Sequence, residues 1–206
     1  HIRIVSQMER VAAVWADVHG KACTEADVEA MFTSFVPLQL KIIADYAELI
    51  PEVPVAQASF RRRKLKIGTT TGYNTEMMEV LAPRARRQGY EPDFLVCASE
   101  VPAGRPAPWM IFRNMEQLGV FPPSTVLKVG DTVPDIQAGR NAGVRTIGIT
   151  RTGSEVGLPL EDWEQLEPDS KHAALEQAEQ VLRQAGANDV LESISELPDW
   201  LDQHTA

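Results

Sequence analysis

The segment from residue 126 to residue 150, VLKVGDTVPDIQAGRNAGVRTIGIT, constrains the fold of this chain more than any other. Residues 126–129 form a short apolar run that predicts a buried strand. Asp135 opens a helical stretch, which Gly143 ends before a second strand at residues 145–150. A strand, a helix and another strand in this order predict a β-α-β unit with a parallel sheet, and therefore an α/β fold.

Two aspartates follow the first of these strands, in the sequence Gly130-Asp131-Thr132-Val-Pro-Asp135. Ligands of parallel sheets bind beyond the carboxyl ends of the strands, so Asp131 and Asp135 are expected in that crevice. Carboxylate oxygens there suit Mg²⁺, which takes a few protein carboxylates and completes its shell with water and phosphate. A structural role is the alternative, because Asp131 can shape a turn and Asp135 can face the dipole of a helix.

The composition excludes several classes of partner. The 206 residues carry a net charge of −9, which argues against nucleic acid as a partner, since phosphate backbones need clustered Lys and Arg. The basic run at residues 61–64 is the exception, and we interpret it as the solvated end of a helix. No apolar run approaches the roughly 20 residues of a membrane span. Cys23 and Cys97 stand in unrelated contexts, which favours a reducing, cytoplasmic location.

The chain is expected to divide near Pro51 into a helical module, residues 1–50, and a parallel α/β module, residues 51–206. In the first module the apolar residues from Ile2 to Trp15 lie on one helical face, and the segment from Thr24 to Asp27 resembles a capping box. In the second module, further strands are predicted at 65–71, 94–98 and 190–193, with helices at 75–88, 108–118, 170–185 and from 196.

Two other predicted strands of the α/β module are also followed by polar residues. Thr71, Gly72 and Tyr73 come after the strand at 65–71, where a hydroxyl and backbone N–H groups before a helix suit a phosphate. Arg105 precedes a proline after the strand at 94–98, and an arginine can grip two phosphate oxygens at once. Helix capping by Thr71 and a surface position for Arg105 are the alternatives. Their shared placement at strand ends favours a phosphate site.

These residues resemble the motifs of the haloacid dehalogenase-like superfamily, whose members mostly transfer phosphoryl groups through an aspartyl intermediate. The strings IGTTTGY, VPAGRPAPWM and KVGDTVPDIQAGRNAG are similar, more narrowly, to those of the phosphonoacetaldehyde hydrolases, where arginine replaces the usual lysine before the proline. The resemblance extends from His1 to the last predicted helix. It implies a Rossmann-like parallel core with a helical cap domain, which residues 1–50 would represent in part.

The resemblance also implies a reaction and roles for residues. Such enzymes cleave the carbon–phosphorus bond of phosphonoacetaldehyde, giving acetaldehyde and phosphate, with a lysine Schiff base, an aspartate nucleophile and Mg²⁺. By motif, Asp131 and Asp135 would bind or orient the metal. Thr71, Gly72 and Arg105 would bind phosphoryl oxygens, and Tyr73 would lie close to the substrate. His1 matches a histidine that assists proton transfers, although a terminal histidine can also remain from a tag.

The sequence departs from the family pattern in its first motif, the nucleophilic aspartate, and in the Schiff-base lysine, neither of which has a matching position. Asp17 in AVWADVHG is a rival nucleophile, but the periodicity around it favours a helix. In the superfamily the nucleophile's strand is central, so without it two strand edges would be unpaired. We therefore expect about 50 further N-terminal residues in the natural protein. Lys64 stands where the family has a helix-ending glycine, and a left-handed Lys64 would cost about 1 kcal/mol.

Two alternative functions remain open at this stage. One is a Mg²⁺-dependent phosphatase of the same superfamily that acts on another small phosphate ester. The other is a noncatalytic fragment that binds phosphate or pairs with a partner. Family members form homodimers through their caps, and Trp15, Phe32 and Phe35 are available for such a contact, unless these aromatics fill the core of the cap itself.

Overall fold

The computed structural model describes residues 2–204 and divides the chain between Ala47 and Glu48 into two units. None of the helices in this described part is long and apolar enough to cross a membrane. The boundary lies close to the one expected before Pro51, and the two units differ in class, because the first is entirely helical and the second is α/β.

The first unit, called the helical unit below, contains α1 (Ile2–Ser6), α2 (Glu9–His19), α3 (Glu25–Ile42) and a 3₁₀ turn at Ile43–Tyr46. The prediction of one continuous helical face from Ile2 to Trp15 is wrong in one respect, because the helix is interrupted between α1 and α2. Met8 is extended, with φ −63° and ψ 132°, and its N–H donates to Val5 O in a tight turn. The apolar spacing is present on both sides of this break, so periodicity could not reveal it.

The predicted capping box at the start of α3 is confirmed. Thr24 Oγ1 accepts a hydrogen bond from Asp27 N, while the Asp27 carboxylate accepts one from Thr24 N. These bonds satisfy two of the N–H groups that every helix leaves without a partner at its start. The local sequence is sufficient to fix this helix start.

The second unit, called the α/β unit below, alternates helices and parallel strands, as the sequence predicts. Its elements are α4 (Val53–Arg62), β1 (Gly68–Thr71), α5 (Thr75–Arg87), β2 (Phe94–Cys97), α6 (Trp109–Leu118), β3 (Leu127–Gly130), α7 (Val133–Ala142), β4 (Arg145–Ile149), α8 (Leu160–Gln165), α9 (Pro168–Ala185), β5 (Asp189–Leu191) and α10 (Leu197–His204).

The strands form two parallel sheets. In one, β1 pairs with β2 and Thr71 lies opposite Cys97; in the other, β4 lies between β3 and β5, with Gly130 opposite Gly148. Over residues 2–204, β1 and β3 each have a single hydrogen-bonded neighbour and do not pair with each other. Helix α6 connects the sheets, because it packs on β1 and β2 and also contacts α7, which packs on β3 and β4. The predicted site residues of this unit follow the carboxyl ends of β1, β2 and β3.

Apolar side chains cover both faces of the three-stranded sheet. On one face Ile147 and Ile149 pack with Trp200 and Leu201 of α10 and with Phe60 of α4. On the other face, helices α6, α7 and α9 and the residue before β4 supply small and branched side chains. They form two clusters, one of Ile111, Ala138, Ala142 and Val144 and the other of Ile136, Leu182 and Ala185. Burial on both faces is expected of a parallel sheet and holds β3 and the loop after it in place.

The strand predicted at 65–71 begins only at Gly68. Lys64 is left-handed, with φ 58°, and Leu65 N donates to Phe60 O, so these residues end α4 instead of extending the strand. The left-handed conformation considered for Lys64 is therefore confirmed. The interpretation of residues 61–64 as a helix end is also confirmed, although Arg61 and Arg63 pair with Asp93 and Asp202.

Candidate active site

Asp135 lies at the centre of the polar groups beyond β3. Its side chain is 2% exposed, and Oδ1 accepts hydrogen bonds from Arg105 Nη1 at 2.5 Å and from Lys128 Nζ at 2.7 Å. Its other oxygen, Oδ2, accepts one from Thr132 Oγ1 at 2.7 Å. A buried carboxylate needs such partners, because an unpaired charge in the interior is very costly.

These partners also decide the protonation state of Asp135. Burial by itself raises the pKa of a carboxyl group, because it disfavours the charged form. The charge and hydrogen bond of Lys128, the hydrogen bond of Thr132 and the charge of Arg105 outweigh burial and hold the pKa of Asp135 below its ordinary value. Asp135 is therefore an anion that holds two cations in place at neutral pH.

Gly130 allows Asp135 to approach the end of β3. A β-carbon at residue 130 would lie 2.3 Å from Asp135 Cβ and 2.7 Å from Asp135 Cγ, distances that real structures essentially never show. Thr132 caps α7 and accepts from Asp135 N, so the first turn of the helix brings Asp135 back over the glycine. The short sequence from Gly130 to Asp135 thus builds this corner by local geometry.

Asp131 is held by a different loop. Ser154 donates to Asp131 Oδ2 from its backbone N at 3.0 Å and from its Oγ at 2.9 Å. Among residues 2–204, no hydrogen bond to Asp131 Oδ1 is found. One oxygen of this half-buried carboxylate is therefore fixed by the protein, and the other remains available to a ligand.

Arg105 links the loop after β1, which contains Gly72, to the loop after β3, which leads to Asp135. Its Nη1 bonds Asp135, while its Nη2 lies 3.2 Å from the position that a β-carbon on Gly72 would occupy. The peptide bond between Arg105 and Pro106 is cis, and Asn141 of α7 donates to Pro106 O at 2.8 Å. The guanidinium thus spans the space between the end of β1 and the end of β3, although these strands do not pair.

The loop after β1 is shaped by its own side chains. Thr71 Oγ1 accepts from Tyr73 N at 3.1 Å, and Asn74 caps α5 by accepting from Met77 N at 2.9 Å. The alternative reading of Thr71 as the helix cap is therefore wrong, because Asn74 has that role. Tyr73 is 38% exposed at the strand end. The Thr71 hydroxyl hydrogen and the Gly72 N–H are the donors that this loop offers to an anion.

Two other residues considered from the sequence have different outcomes. Asp17 lies within α2 and not at a strand end, which removes the residue as a rival nucleophile. His1 lies outside the described residues, so its predicted catalytic role stays a prediction. The roles predicted for Thr71, Gly72, Tyr73, Arg105, Asp131 and Asp135 also stay predictions, but the structure places all six in the α/β unit at or after strand ends.

Sequence reasoning missed two polar residues of the site. Lys128 is a lysine within the apolar run VLKVG, and an unexpected charge in a buried strand is a signal that could have identified it. Its side chain is only 13% exposed and reaches Asp135. Ser154 gives no such signal, because its contact with Asp131 joins residues that are 23 positions apart.

The site fits a magnesium ion through Asp131 and not directly through Asp135. Every oxygen of Asp135 already accepts from protein donors, which favours an orienting role over direct ligation. Within residues 2–204 no three His, Cys, Asp or Glu side chains are grouped so that they could hold a metal by themselves. Asp131 Oδ1, with water and phosphate oxygens, matches the small number of protein ligands that Mg²⁺ commonly takes.

Comparisons with known proteins show the family of this chain. The family profile described as haloacid dehalogenase-like hydrolase matches residues 4–143. A phosphonoacetaldehyde hydrolase of Nitratidesulfovibrio vulgaris is 45% identical over 95% of this chain and 70% of its own length. A bifunctional phosphonoacetaldehyde hydrolase/aminoethylphosphonate transaminase of Clostridioides difficile is 41% identical over 98% of this chain, which spans only 32% of that protein.

The fold has a solved counterpart at high similarity. The crystal structure of a phosphonoacetaldehyde hydrolase-like protein from Oleispira antarctica superposes with a TM-score of 0.94 and 35% identity. The match covers 98% of this chain and 74% of that one. The similarity therefore includes both the helical unit and the α/β unit.

Proposed function

The chain belongs to the phosphonoacetaldehyde hydrolases, a family of haloacid dehalogenase-like hydrolases, and we propose that its protein hydrolyses phosphonoacetaldehyde to acetaldehyde and phosphate. The observation that carries the proposal is the position of Arg105 between Gly72 and Asp135. The guanidinium is held beside the loop that contains Thr71 and Gly72, and a fixed cation next to a hydroxyl and a backbone N–H suits a phosphonate dianion.

The residues of this chain bind and orient the phosphoryl group. The Thr71 hydroxyl and the Gly72 N–H donate to phosphoryl oxygens, and Arg105 supplies charge from a guanidinium that Asp135 holds in one orientation. Because Lys128 shares Asp135, the negative charge of that carboxylate is balanced before substrate binds. With Asp131 counted as well, the two cations and the two carboxylates of these residues balance, so a bound Mg²⁺ would supply the net positive charge that faces the substrate.

Asp131 would hold Mg²⁺ through Oδ1, while Asp135 orients the groups around it. When bound, Mg²⁺ neutralises charge on the phosphoryl oxygens. The aspartate nucleophile and the Schiff-base lysine that this reaction needs match no position of this chain and would lie outside it. Tyr73 would contact the substrate beside the phosphoryl group.

The decisive experiment uses the protein expressed from its complete gene. We expect release of acetaldehyde from phosphonoacetaldehyde, detected through NADH and alcohol dehydrogenase, with a dependence on Mg²⁺. Borohydride should inactivate the enzyme only in the presence of substrate, because it reduces a Schiff base. Hydrolysis of phosphate monoesters that borohydride does not affect would show a phosphatase instead. Binding of phosphate without turnover would show a noncatalytic protein.

We also propose a homodimer that uses the helical unit. Phe32 and Phe35 are 57% and 46% exposed, so they do not fill a core of their own unit, which was the alternative for these aromatics. Trp15 is half-buried, and its Nε1 has no hydrogen-bond partner among residues 2–204. Light scattering of the wild type should give twice the monomer mass. Phe35→Glu should shift the measured mass toward that of a monomer. Tyr46→Glu, at an 81% exposed position, is the control and should leave the mass unchanged.

A location in the reducing cytoplasm stays part of this proposal. Cys23 and Cys97 are both free and form no disulfide. Free thiols are typical of proteins in reducing compartments. Fractionation of cells that express the complete gene would test this location.

A further inference from the structure

The loop that follows β4 contacts the aspartates beyond β3. We call residues 151–157 the serine loop. Ser154 donates twice to Asp131 Oδ2, at 3.0 and 2.9 Å, and Glu155 Oε1 accepts from Val133 N at 3.4 Å. The loop thus contacts both the predicted metal ligand and the first turn of α7.

A glycine makes this close approach possible. A β-carbon on Gly153 would lie 2.5 Å from Ile149 O and 2.9 Å from Asp131 Cβ, so any side chain there would push the loop and the aspartate apart. Gly153 N donates to Thr150 O at 2.9 Å, which turns the chain directly after β4. The backbone therefore delivers Ser154 to Asp131 with little freedom.

An arginine fixes the beginning of the serine loop. Arg151 N donates to Glu192 O at 3.0 Å, and the guanidinium pairs with Glu52 before α4 and lies 3.5 Å from Glu192 Oε1. The side chains of Arg151 and Glu52 are 24% and 25% exposed, so water screens the pair only in part. The loop is anchored at this end and at Ser154, where it touches Asp131.

We propose that Ser154 is a positioning residue for the metal, because its two donors hold Asp131 Oδ2 and leave Oδ1 as the oxygen that binds Mg²⁺. This inference rests on the proposed function. A carboxylate that ligates a metal is normally oriented by hydrogen bonds to its other oxygen, and losing such a partner typically lowers metal affinity about 10- to 100-fold. Removing the Ser154 hydroxyl leaves the backbone donor in place, so the lower end of that range applies.

The test measures Mg²⁺ binding to the protein from the complete gene by titration calorimetry, without substrate. We expect Ser154→Ala to raise the Kd for Mg²⁺ about tenfold. Ser154→Thr keeps the hydroxyl and should restore most of the affinity. Ser170→Ala, at an exposed position in α9, is the matched control and should bind as the wild type does. Thermal unfolding of each variant verifies that the fold is retained.

Kinetics distinguish positioning from a general structural effect. The Ser154→Ala enzyme should need about tenfold more Mg²⁺ for half-maximal activity and approach the wild-type kcat at saturating Mg²⁺, because Asp131 itself remains. Equal Kd values for wild type and Ser154→Ala would overturn the role of Ser154 and leave the proposed function intact. A wild-type protein that turns over substrate but does not bind Mg²⁺ would overturn this inference and the metal assignment, while the reaction assignment would stand.

Discussion

Arg105 Nη1 and Asp135 Oδ1 lie 2.5 Å apart, and this ion pair joins the loop after β2 to the first turn of α7. The two residues belong to parts of the α/β unit whose strands do not pair with each other. Their contact holds the arginine beside Gly72, where a phosphoryl group would bind. The buried carboxylate therefore serves the site mainly by fixing cations.

Replacing Asp135 by Asn should destabilise the α/β unit by about 3 kcal/mol, because it leaves Arg105 and Lys128 without their shared anion. Arg105 is 25% exposed and can reach water, so the expected loss lies at the low end of the roughly 3–5 kcal/mol that breaking a buried ion pair costs. Urea unfolding measures the loss. The control is Asp202→Asn, whose side chain is 61% exposed beside Arg63, so that water screens this pair and the loss of stability should be much smaller. Equal losses in both variants would contradict the central role of Asp135.

Gly130→Ala should displace Asp135, because the new β-carbon would lie 2.3 Å from Asp135 Cβ. Overpacking of this kind costs about 1–3 kcal/mol, and the shift should also lower kcat/KM. Gly104→Ala is the matched control, since its β-carbon would meet Ala98 Cβ at an ordinary 3.4 Å. Urea unfolding and turnover of both variants test the prediction, and it fails if the two substitutions have the same effect.

Thr71→Val should lower kcat/KM about 10- to 100-fold, because a hydrogen bond to a charged group contributes about 1.5–3 kcal/mol. The change also removes the acceptor for Tyr73 N, so Thr71→Ser should recover most of the activity by restoring both contacts. Thr70→Val, one residue earlier in β1, is the control. A Thr71→Val enzyme with wild-type kinetics would exclude Thr71 from phosphate binding.

Cys97 should react slowly with thiol reagents in the native protein. Burial, with a further contribution from Glu100, raises the pKa of Cys97 to about 11, so roughly one thiol in a thousand is ionised at pH 8. The labelling rate should rise about tenfold for each pH unit up to that value. Since the raised pKa favours the protonated native state, stability should fall as the pH rises above the ordinary 9.0.

The Cys97 experiment counts thiols with a chromogenic disulfide reagent. Cys23 is partly exposed and provides the internal comparison, and denaturant should make both thiols react. Fast labelling of two thiols in the native protein at pH 8 would contradict the predicted protection of Cys97. Cys97→Ser labelling identifies which thiol reacts first.

Lys64→Gly should stabilise the α/β unit by about 1 kcal/mol, because Lys64 has φ 58° and only glycine adopts this conformation without strain. Arg62→Gly, at the exposed last residue of α4, should instead destabilise, by less than the roughly 1 kcal/mol that glycine costs in a helix interior. Thermal or urea unfolding measures the two changes in the free energy of unfolding, which should have opposite signs. A loss of stability on Lys64→Gly would show that its side-chain contacts outweigh the backbone strain.

Short-range geometry explains which features were predictable. The segment from Gly130 to Gly143 combines a turn, a cap and a left-handed helix end within a few residues, so its structure follows from local sequence. The break between α1 and α2 was missed because it leaves the apolar spacing unchanged on both sides. Ser154 was missed because its contact depends on where the loop after β4 lies relative to β3.

The sequence by itself determined the α/β class, the parallel strands and the strand ends where Thr71, Arg105, Asp131 and Asp135 lie, since apolar periodicity and turn residues act over a few positions. Only the tertiary structure decided what these residues contact. It placed Lys128 and Arg105 on one oxygen of Asp135 and Ser154 on one oxygen of Asp131. The physical reason is that sheet register and helix packing join distant segments, and no local pattern encodes which side chains then meet.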